Sequence, residues 1–320
     1  MMKQPFFKNL EQTIGNTPLV SLDRITRNLD GQILAKLEMF NPSNSKKDRI
    51  ALQIINDAEE SGELLPGKTV VELTSGNMGT ALAMICSQRN YPFVAVMSKG
   101  NSVERVLMME HLGAEVILVE QKPGGVSGKV TGEDLQLVEE MTQEITKKRQ
   151  AFRADQFNNK GNFLAHYLNT APELWSQSSE RIDGFCDFVG SGGTYAGVSK
   201  FLKQQNKQIK CFVLEPRGAA VLSGQQIEES SHPIQGGGYG MKDLPLLSNI
   251  PIDGYIEVSG KQARNFVHEL AKKEGIFAGF SSGANIAGAV ELLKGPCRGG
   301  TVAIILADSG LKYLSTDLWN

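Results

Sequence analysis

Short apolar runs rich in β-branched residues alternate along the chain with segments of helical period, and this alternation restricts the fold more than any other feature. The runs that predict strands are 33–38, 69–73, 92–97, 114–120, 185–190, 210–215, 255–259 and 301–307. Amphipathic segments that predict helices are 46–61, 79–89, 102–112, 131–149, 162–177, 194–205 and 262–274. The pattern indicates the α/β class, with doubly wound, mostly parallel sheets.

Length and composition narrow the possible functions. A chain of 320 residues can form two domains, and we expect two lobes, one of them centred on residues 45–150. The net charge of −2 gives no basic surface for nucleic acid or anionic membrane. No run approaches the ~20 apolar residues of a membrane span, and the first residues lack the apolar segment of a signal peptide. We therefore expect a cytoplasmic chain whose four scattered cysteines are reduced and bind no metal.

Three glycine-rich turns follow predicted strands, at 72–80, 189–197 and 279–288. In parallel α/β sheets, ligands bind at the carboxyl ends of strands. The turn at 190–194, with sequence GSGGT, opens a predicted helix and offers successive backbone N–H groups to an anion. It lacks the lysine of a P-loop, and Tyr195 occupies the sixth position where a dinucleotide fingerprint needs glycine. A tight glycine turn without a ligand is the structural alternative.

The other two turns are weaker signals on their own. Residues 74–77 read TSGN, a small polar turn suited to a carboxylate or a ring hydroxyl. Residues 281–283 read SSG and could be no more than the N-cap of a helix.

Two adjacent lysines, Lys46 and Lys47, open the helix predicted over 46–61. Ser45 and Asp48 have the spacing of an N-cap and its capping-box partner. On a helical wheel Lys47 falls near the centre of an apolar stripe, whereas Lys46 falls on a solvated face. The stripe consists of Ile50, Ala51, Ile54, Ile55 and Ala58. Burial lowers the pKa of an amine and makes it a nucleophile able to form a Schiff base, although Lys47 could instead extend its ammonium to water.

An inward amine, a phosphate loop, a carboxylate loop and a small hydroxyl together suit pyridoxal 5′-phosphate (PLP) with an amino-acid substrate. The chain resembles the family of cysteine synthase (O-acetylserine sulfhydrylase) and cystathionine β-synthase, which are fold type II PLP enzymes. The motifs that carry the resemblance are IGNTPLV (14–20), KLEMFNPSNSKKDRI (36–50), ELTSGNMG (72–79), DQFNNKGN (155–162), VGSGGTYAG (189–197), EPRGAAVLSG (215–224), IQGGGYG (234–240), EGIFAGFSSGA (274–284) and DSGLKYLST (308–316).

The resemblance implies a role for each matching residue. Lys47 is the lysine that binds the cofactor, Asn77 bonds the ring hydroxyl, and Ser281 faces the pyridine nitrogen. The implied phosphate cup is Gly190, Ser191, Gly192, Gly193 and Thr194. The implied substrate residues are Thr74, Ser75, Gly76, Met78, Gln156 and Gly236, with Gly236 near the substrate amino group and the others at or beside its carboxylate.

The resemblance also implies an architecture and an activity. The smaller domain, 45–150, would carry the carboxylate loop, and a larger domain, 1–44 with 151–320, would carry the phosphate cup, with the PLP site between them. The implied reaction is β-replacement through an aminoacrylate, with O-acetyl-L-serine and sulfide giving L-cysteine and acetate. The implied assembly is a homodimer.

Other activities remain open at this point. Related possibilities are O-phosphoserine with another nucleophile such as an amine, serine with homocysteine, and cysteine desulfhydration. A dehydratase fits the phosphate cup and the 308–316 motif less well. From a different class, the chain could bind PLP with little turnover and act as a regulatory partner. A nicotinamide oxidoreductase would leave Lys47 unexplained.

Four residues depart from the family pattern or stand beside it. Met78 replaces a usual threonine, Lys99 adds a cation after the strand at 92–97, Tyr239 lies where smaller residues are common, and Arg217 follows Glu215-Pro216. Altered substrate choice and neutral variation are both open for Met78 and Tyr239. Lys99 and Arg217 are expected to be solvated surface charges.

Overall fold

A computed structural model describes residues 6–74, 76–101, 103–123, 130, 132–228 and 232–319. The strands are β1 (Leu19–Ser21), β2 (Gln32–Leu37), β3 (Val70–Leu73), β4 (Phe93–Ser98), β5 (Glu115–Val119), β6 (Phe152–Arg153), β7 (Gly184–Phe188), β8 (Lys210–Pro216), β9 (Gly254–Val258) and β10 (Thr301–Leu306). The helices are α1 (Asp23–Thr26), α2 (Lys47–Ser61), α3 (Asn77–Arg89), α4 (Val103–His111), α5 (Gly132–Arg149), α6 (Lys160–Ala165), α7 (Ala171–Gln177), α8 (Gly193–Gln205), α9 (Gly260–Glu269) and α10 (Phe280–Lys294).

The strands form two sheets. The larger has the order β1-β2-β10-β7-β8-β9 and is parallel except for β1, which runs antiparallel to β2. The smaller has the order β5-β4-β3-β6 and is parallel throughout. All the strands predicted from sequence are present, and the predicted α/β class with mostly parallel sheets is confirmed. The smaller sheet draws its strands from residues 70–153, whereas the domain boundaries at 45 and 150 stay a prediction.

Four of these elements were not among the predicted ones: strands β1 and β6 and helices α1 and α10. Helix α1 has four residues, too few to show a helical period. Strands β1 and β6 have three and two residues, too few to show an alternating pattern. Helix α10 is buried over almost its whole length, so it lacks the polar face that makes a helix recognisable by its period. The segments predicted as single helices over 162–177 and 262–274 each contain a π-helical turn, at His166–Thr170 and Leu270–Glu274.

Helix α2 lies between the two sheets, and its apolar stripe is buried as the wheel predicts. Its start differs from the predicted capping box. Ser45 Oγ accepts a hydrogen bond from the Lys47 N–H (3.3 Å), but the Asp48 carboxylate turns back to Ser43, accepting from its N–H (2.6 Å) and from its hydroxyl. The helix ends at Gly62, which adopts a left-handed conformation (φ 76°).

A buried ion network fastens the first turn of α2 to the larger sheet. Arg49 donates to Glu38, at the end of β2, through Nε (2.7 Å) and Nη2 (2.8 Å). Its Nη1 and Nη2 also donate to the two carboxylate oxygens of Glu173 on α7, at 2.7 and 2.8 Å. Lys36 of β2 completes the network with a 2.7 Å contact to Glu173. Although burial raises the pKa of Glu38, the Arg49 charge and hydrogen bonds hold it below its ordinary value.

The described helices include none that is both long and apolar enough to cross a membrane.

We expect Arg49→Met to lower the free energy of unfolding by about 3–5 kcal/mol, because it leaves the buried Glu38 carboxylate without its cation. The measurement is urea denaturation followed by circular dichroism. Arg149→Met is the matched control, since Arg149 forms a similar pair with Glu115 on the surface and its loss should cost about 0–1 kcal/mol. Equal losses in the two variants would contradict the assignment.

Candidate active site

A cavity lies where the carboxyl ends of β3, β7 and β10 meet the starts of α2, α3, α8 and α10. This is the edge at which parallel α/β sheets bind ligands. Among the residues predicted for the site, the following line the cavity: Lys47, Asn77, Met78, Gln156, Gly190, Ser191, Gly192, Thr194, Gly236 and Ser281.

Lys47 places its amine in this cavity, where Nζ donates to Gln156 Oε1 at 2.9 Å. Burial is the largest cause that lowers the pKa of Lys47 to about 7, and the positive charge of Lys46 lowers it further. The carboxyl groups of Glu72 and Asp187 act in the opposite direction. A large fraction of the amine is therefore neutral at pH 7, as a nucleophile or base requires.

Lys46 does not lie on a solvated face, so that prediction is wrong. Its side chain is 14% exposed, lines the same cavity as Lys47, and approaches Asp187 at the end of β7 with Nζ–Oδ2 at 3.4 Å. A helical wheel gives only the direction of a side chain, and it could not show that Lys46 meets Asp187, which is 141 residues away in the chain.

A chain of buried polar groups connects the Lys47 amine with the glycine-rich loop. Glu72 of β3 accepts from the N–H groups of Asp155 (2.7 Å) and Gln156 (3.3 Å), and burial raises its pKa to about 8. Asn162 Nδ2 donates to Gln156 O (2.7 Å) and to Ser191 Oγ (2.8 Å). Gln156 is therefore held in position on both sides, facing the amine.

The loop at 190–194 has the features of a phosphate cradle. Gly192 adopts φ +88° and precedes α8, whose first turn has no side-chain cap to occupy its N–H groups. The hydroxyls of Ser191 and Thr194 line the cavity beside it. Gly193 is not a lining residue, but a Cβ at this position would come within 2.1 Å of Asn162 Oδ1. The glycines thus allow the loop to pack closely against its neighbours, while the uncapped N–H groups at the start of α8 remain for an anion.

Asn77 and Ser281 line the opposite part of the cavity from the starts of α3 and α10. Asn77 Nδ2 donates to Asp308 Oδ2 and its Oδ1 accepts from Lys312 Nζ, both at 2.7 Å. An amide group carries two N–H donors, so Asn77 has a second one for a ring hydroxyl. Asp308 and Lys312 lie in the 308–316 motif, but their sequence pattern did not reveal that they position Asn77.

The predicted carboxylate loop is organised by Thr74, which does not itself line the cavity. Thr74 Oγ1 accepts from the N–H groups of Gly76 (3.1 Å) and Gly79 (2.8 Å). Gly76 is also outside the lining; it adopts φ +137°, and a Cβ there would lie 2.6 Å from Arg105 Cδ. Met78 lines the cavity and is 2% exposed. Ser75 lies outside the described residues.

Part of the cavity wall is apolar. Of its residues, only Tyr239 was singled out from the sequence, as a departure from the family pattern. Leu135, Phe157 and Tyr239 line it, and the rings of Phe157 and Tyr239 meet edge to face with centroids 6.0 Å apart. Lys99 and Arg217 are exposed and do not line the cavity, in agreement with their interpretation as surface charges.

These groups fit PLP. The cradle at 190–194 suits a phosphate, Lys47 suits an aldehyde, and Asn77 and Ser281 offer polar groups for the ring hydroxyl and nitrogen. Fold and cavity together define a PLP site of the two-sheet α/β type.

Comparison with known proteins agrees with this class. Residues 10–308 match the family described as pyridoxal-phosphate dependent enzyme, and the chain belongs to this family. Cysteine synthase 3 of Caenorhabditis elegans is 40% identical over 328 residues, covering 100% of this chain and 92% of that protein.

Solved structures give the same result. A cysteine synthase (OASS) of Entamoeba histolytica has a TM-score of 0.89 at 35% identity, covering 100% of this chain and 93% of that one. An O-acetylserine dependent cystathionine beta-synthase of Helicobacter pylori has a TM-score of 0.90 at 28% identity, covering 99% and 100%.

We expect Gly193→Ala to weaken PLP binding at least about tenfold, because the new methyl group collides with Asn162 and distorts the phosphate cradle. The dissociation constant is measured by absorbance titration of the cofactor-free chain. Gly132→Ala is the matched control: Gly132 also opens a helix, and its nearest neighbour to a new Cβ is Tyr239 O at 3.9 Å. Unchanged affinity in Gly193→Ala would show that the loop does not hold the phosphate.

Proposed function

We propose that this protein is a cysteine synthase, which uses PLP to replace the β-substituent of O-acetyl-L-serine by sulfide and releases L-cysteine and acetate. The observation that carries the proposal is the Lys47 amine, which is bonded to Gln156 in the cavity lined by the cradle at 190–194 and whose pKa is lowered to about 7 by burial. Full-length similarity to proteins named cysteine synthase supports the choice of substrates.

The proposed roles divide between holding the cofactor and moving one proton. Bound PLP supplies an electron sink for the bond that breaks at the substrate α-carbon. The cradle at 190–194 binds the phosphate, Asn77 the ring hydroxyl, and Ser281 the ring nitrogen. Lys47 would hold the cofactor covalently, and its Nζ, when free as an amine, would take the substrate α-proton.

Substrate recognition in this proposal relies on the backbone of the 74–79 loop together with Gln156. Because Thr74 Oγ1 takes the N–H groups of Gly76 and Gly79, it fixes the loop and leaves the N–H groups of Asn77 and Met78 in the first turn of α3 for the carboxylate. Gly236, with φ +92°, lets the 234–240 loop approach the substrate amino group.

A second candidate is β-replacement with an amino-acid thiol as the nucleophile. The apolar wall of Leu135, Phe157 and Tyr239 favours it, since such a surface suits the methylene groups of a larger acceptor better than hydrosulfide.

We further propose that the chain works as a cytoplasmic homodimer, with residues 45–150 as its smaller domain. The four buried free cysteines suit a reducing compartment. Phe6, Phe7 and Phe40 are 69%, 65% and 64% exposed, as residues of a subunit interface are when the chain is alone.

We expect O-acetyl-L-serine and sulfide to give L-cysteine, measured by a ninhydrin assay and mass spectrometry. We expect Lys47→Ala to lower this activity by about 10³-fold or more, because the substitution removes both the covalent link to the cofactor and the base. Gln53→Ala is the control, since Gln53 on the same helix is bonded to Asp57 and does not line the cavity.

Competition between nucleophiles separates the two candidate functions. Sulfide and homocysteine are offered together with O-acetyl-L-serine, and the products are compared. If the main product is a thioether, the result contradicts cysteine synthesis and supports the second candidate, β-replacement with an amino-acid thiol. Absence of any product with either nucleophile, despite bound PLP, would contradict both.

We expect light scattering to give twice the 34.8 kDa chain mass, and Phe40→Asp to reduce it towards the single-chain value because a charge is placed in the contact. Leu65→Asp is the control, since Leu65 is 60% exposed like Phe40 but is not among the aromatic residues assigned to the contact. A native mass of one chain would contradict the dimer.

A further inference from the structure

Two lysine side chains, not one, enter the cofactor cavity. The backbone N–H of Lys46 donates to Ala307 O (2.9 Å), just after β10, which fixes the residue over the edge of the larger sheet. From there its ammonium reaches Asp187 on the neighbouring strand β7, at 3.4 and 3.5 Å from the two carboxylate oxygens. Lys46, Asp187 and Lys47 all line the cavity.

Asp187 is held independently of Lys46. Asn285 of α10 donates from Nδ2 to Asp187 Oδ1 (3.0 Å) and to Ile305 O (2.7 Å), and its Oδ1 accepts from the Phe188 N–H (2.7 Å). The carboxylate is therefore fixed in a buried site, with Asp187 2% exposed. Its contacts with Lys46 are longer than those of a close hydrogen-bonded ion pair, so the two charges act on their surroundings as well as on each other.

The other groups near Lys47 contribute less charge at neutral pH or lie on other walls. Glu72 of β3 has a pKa raised to about 8 by burial, so most of it is uncharged at pH 7. His166 has its pKa held well below the ordinary value by burial and is neutral. Further titratable groups facing the cavity are Asp308, Tyr239 and Tyr313. After burial, the groups that act on the pKa of Lys47 are Lys46, which lowers it, and Glu72 and Asp187, which raise it.

We propose that Lys46 and Asp187 are opposed positioning residues for Lys47: the ammonium of Lys46 favours the neutral amine, and the carboxylate of Asp187 favours the protonated one. The inference deepens the proposed function and rests on it only for the role given to Lys47. Together the pair leaves the local charge near zero, whereas either member alone would move the protonation of Lys47 strongly.

The arrangement matters because Lys47 has two tasks with different requirements. It must be neutral to attack the cofactor aldehyde and to take the α-proton, and it must remain protonated afterwards until the proton is passed on. A near-neutral pKa serves both tasks. Burial and Lys46 lower the pKa of Lys47, and Glu72 and Asp187 oppose that shift; of these two carboxyl groups, Asp187 is the one in contact with Lys46.

The test measures protonation of Lys47 directly, without substrate or turnover. The full-length chain, freed of cofactor, is labelled with a trace of acetic anhydride across a pH series, and fragment-ion mass spectrometry resolves acetylation at Lys47 from that at Lys46. The variants are Lys46→Met, Asp187→Asn and the double variant, with Lys46→Arg as the charge-preserving control. Circular dichroism establishes that each variant is folded. If Lys46→Met does not fold, Lys46→Gln is used in its place.

We expect the labelling midpoint of Lys47 to rise in Lys46→Met and to fall in Asp187→Asn, each by on the order of one pH unit, or about a tenfold change in the neutral fraction at a given pH. The double variant and Lys46→Arg should remain close to the native midpoint. A purely structural role would disturb both single variants in the same direction. Shifts of the same sign, or unchanged midpoints, would overturn the proposal, and either result is independent of which substrate the enzyme uses.

Discussion

The position of the reactive amine depends on a salt bridge two residues further along the same helix. Arg49 satisfies Glu38 and Glu173 together, and Arg49 and Glu38 are buried, so the first turn of α2 cannot move from the larger sheet without leaving a charge buried and unpaired. The rest of α2 packs its apolar stripe into the core of the smaller sheet. The helix is thus anchored by charge at one end and by burial along its length, and Lys47 is carried into the cavity between the two sheets.

The same low polarity that makes the Arg49 network indispensable also sets the chemistry of the cavity. Burial lowers the pKa of Lys47 to about 7 and raises that of Glu72 to about 8, so at neutral pH both groups lose much of their charge. The cradle at 190–194 offers an anion the N–H groups at the start of α8 and the hydroxyls of Ser191 and Thr194, with no cationic side chain among its own residues.

Sequence alone predicted the regular part of this molecule because period and glycine placement are local signals. The strands, the glycine-rich turns and the inward direction of Lys47 follow from residues close together in the chain. Lys46 could not be predicted in that way, since its partner Asp187 is 141 residues away. The same holds for Asp308 and Lys312, which position Asn77 across 231 and 235 residues. Helix α10 was not predicted as a helix, because a helix that is buried over almost its whole length has no polar face from which a helical period can be recognised.

Met78 illustrates how a departure from a family pattern can be absorbed by the fold. Its side chain is 2% exposed and belongs to the core of the smaller sheet, next to the residues that line the substrate loop. Thr74 already supplies the hydroxyl that shapes this loop, by accepting from Gly76 and Gly79. In the proposed role of this loop, position 78 would offer a carboxylate its backbone N–H, which methionine retains. A threonine hydroxyl at position 78 is not needed to shape the loop, because the Thr74 hydroxyl holds the N–H groups of Gly76 and Gly79.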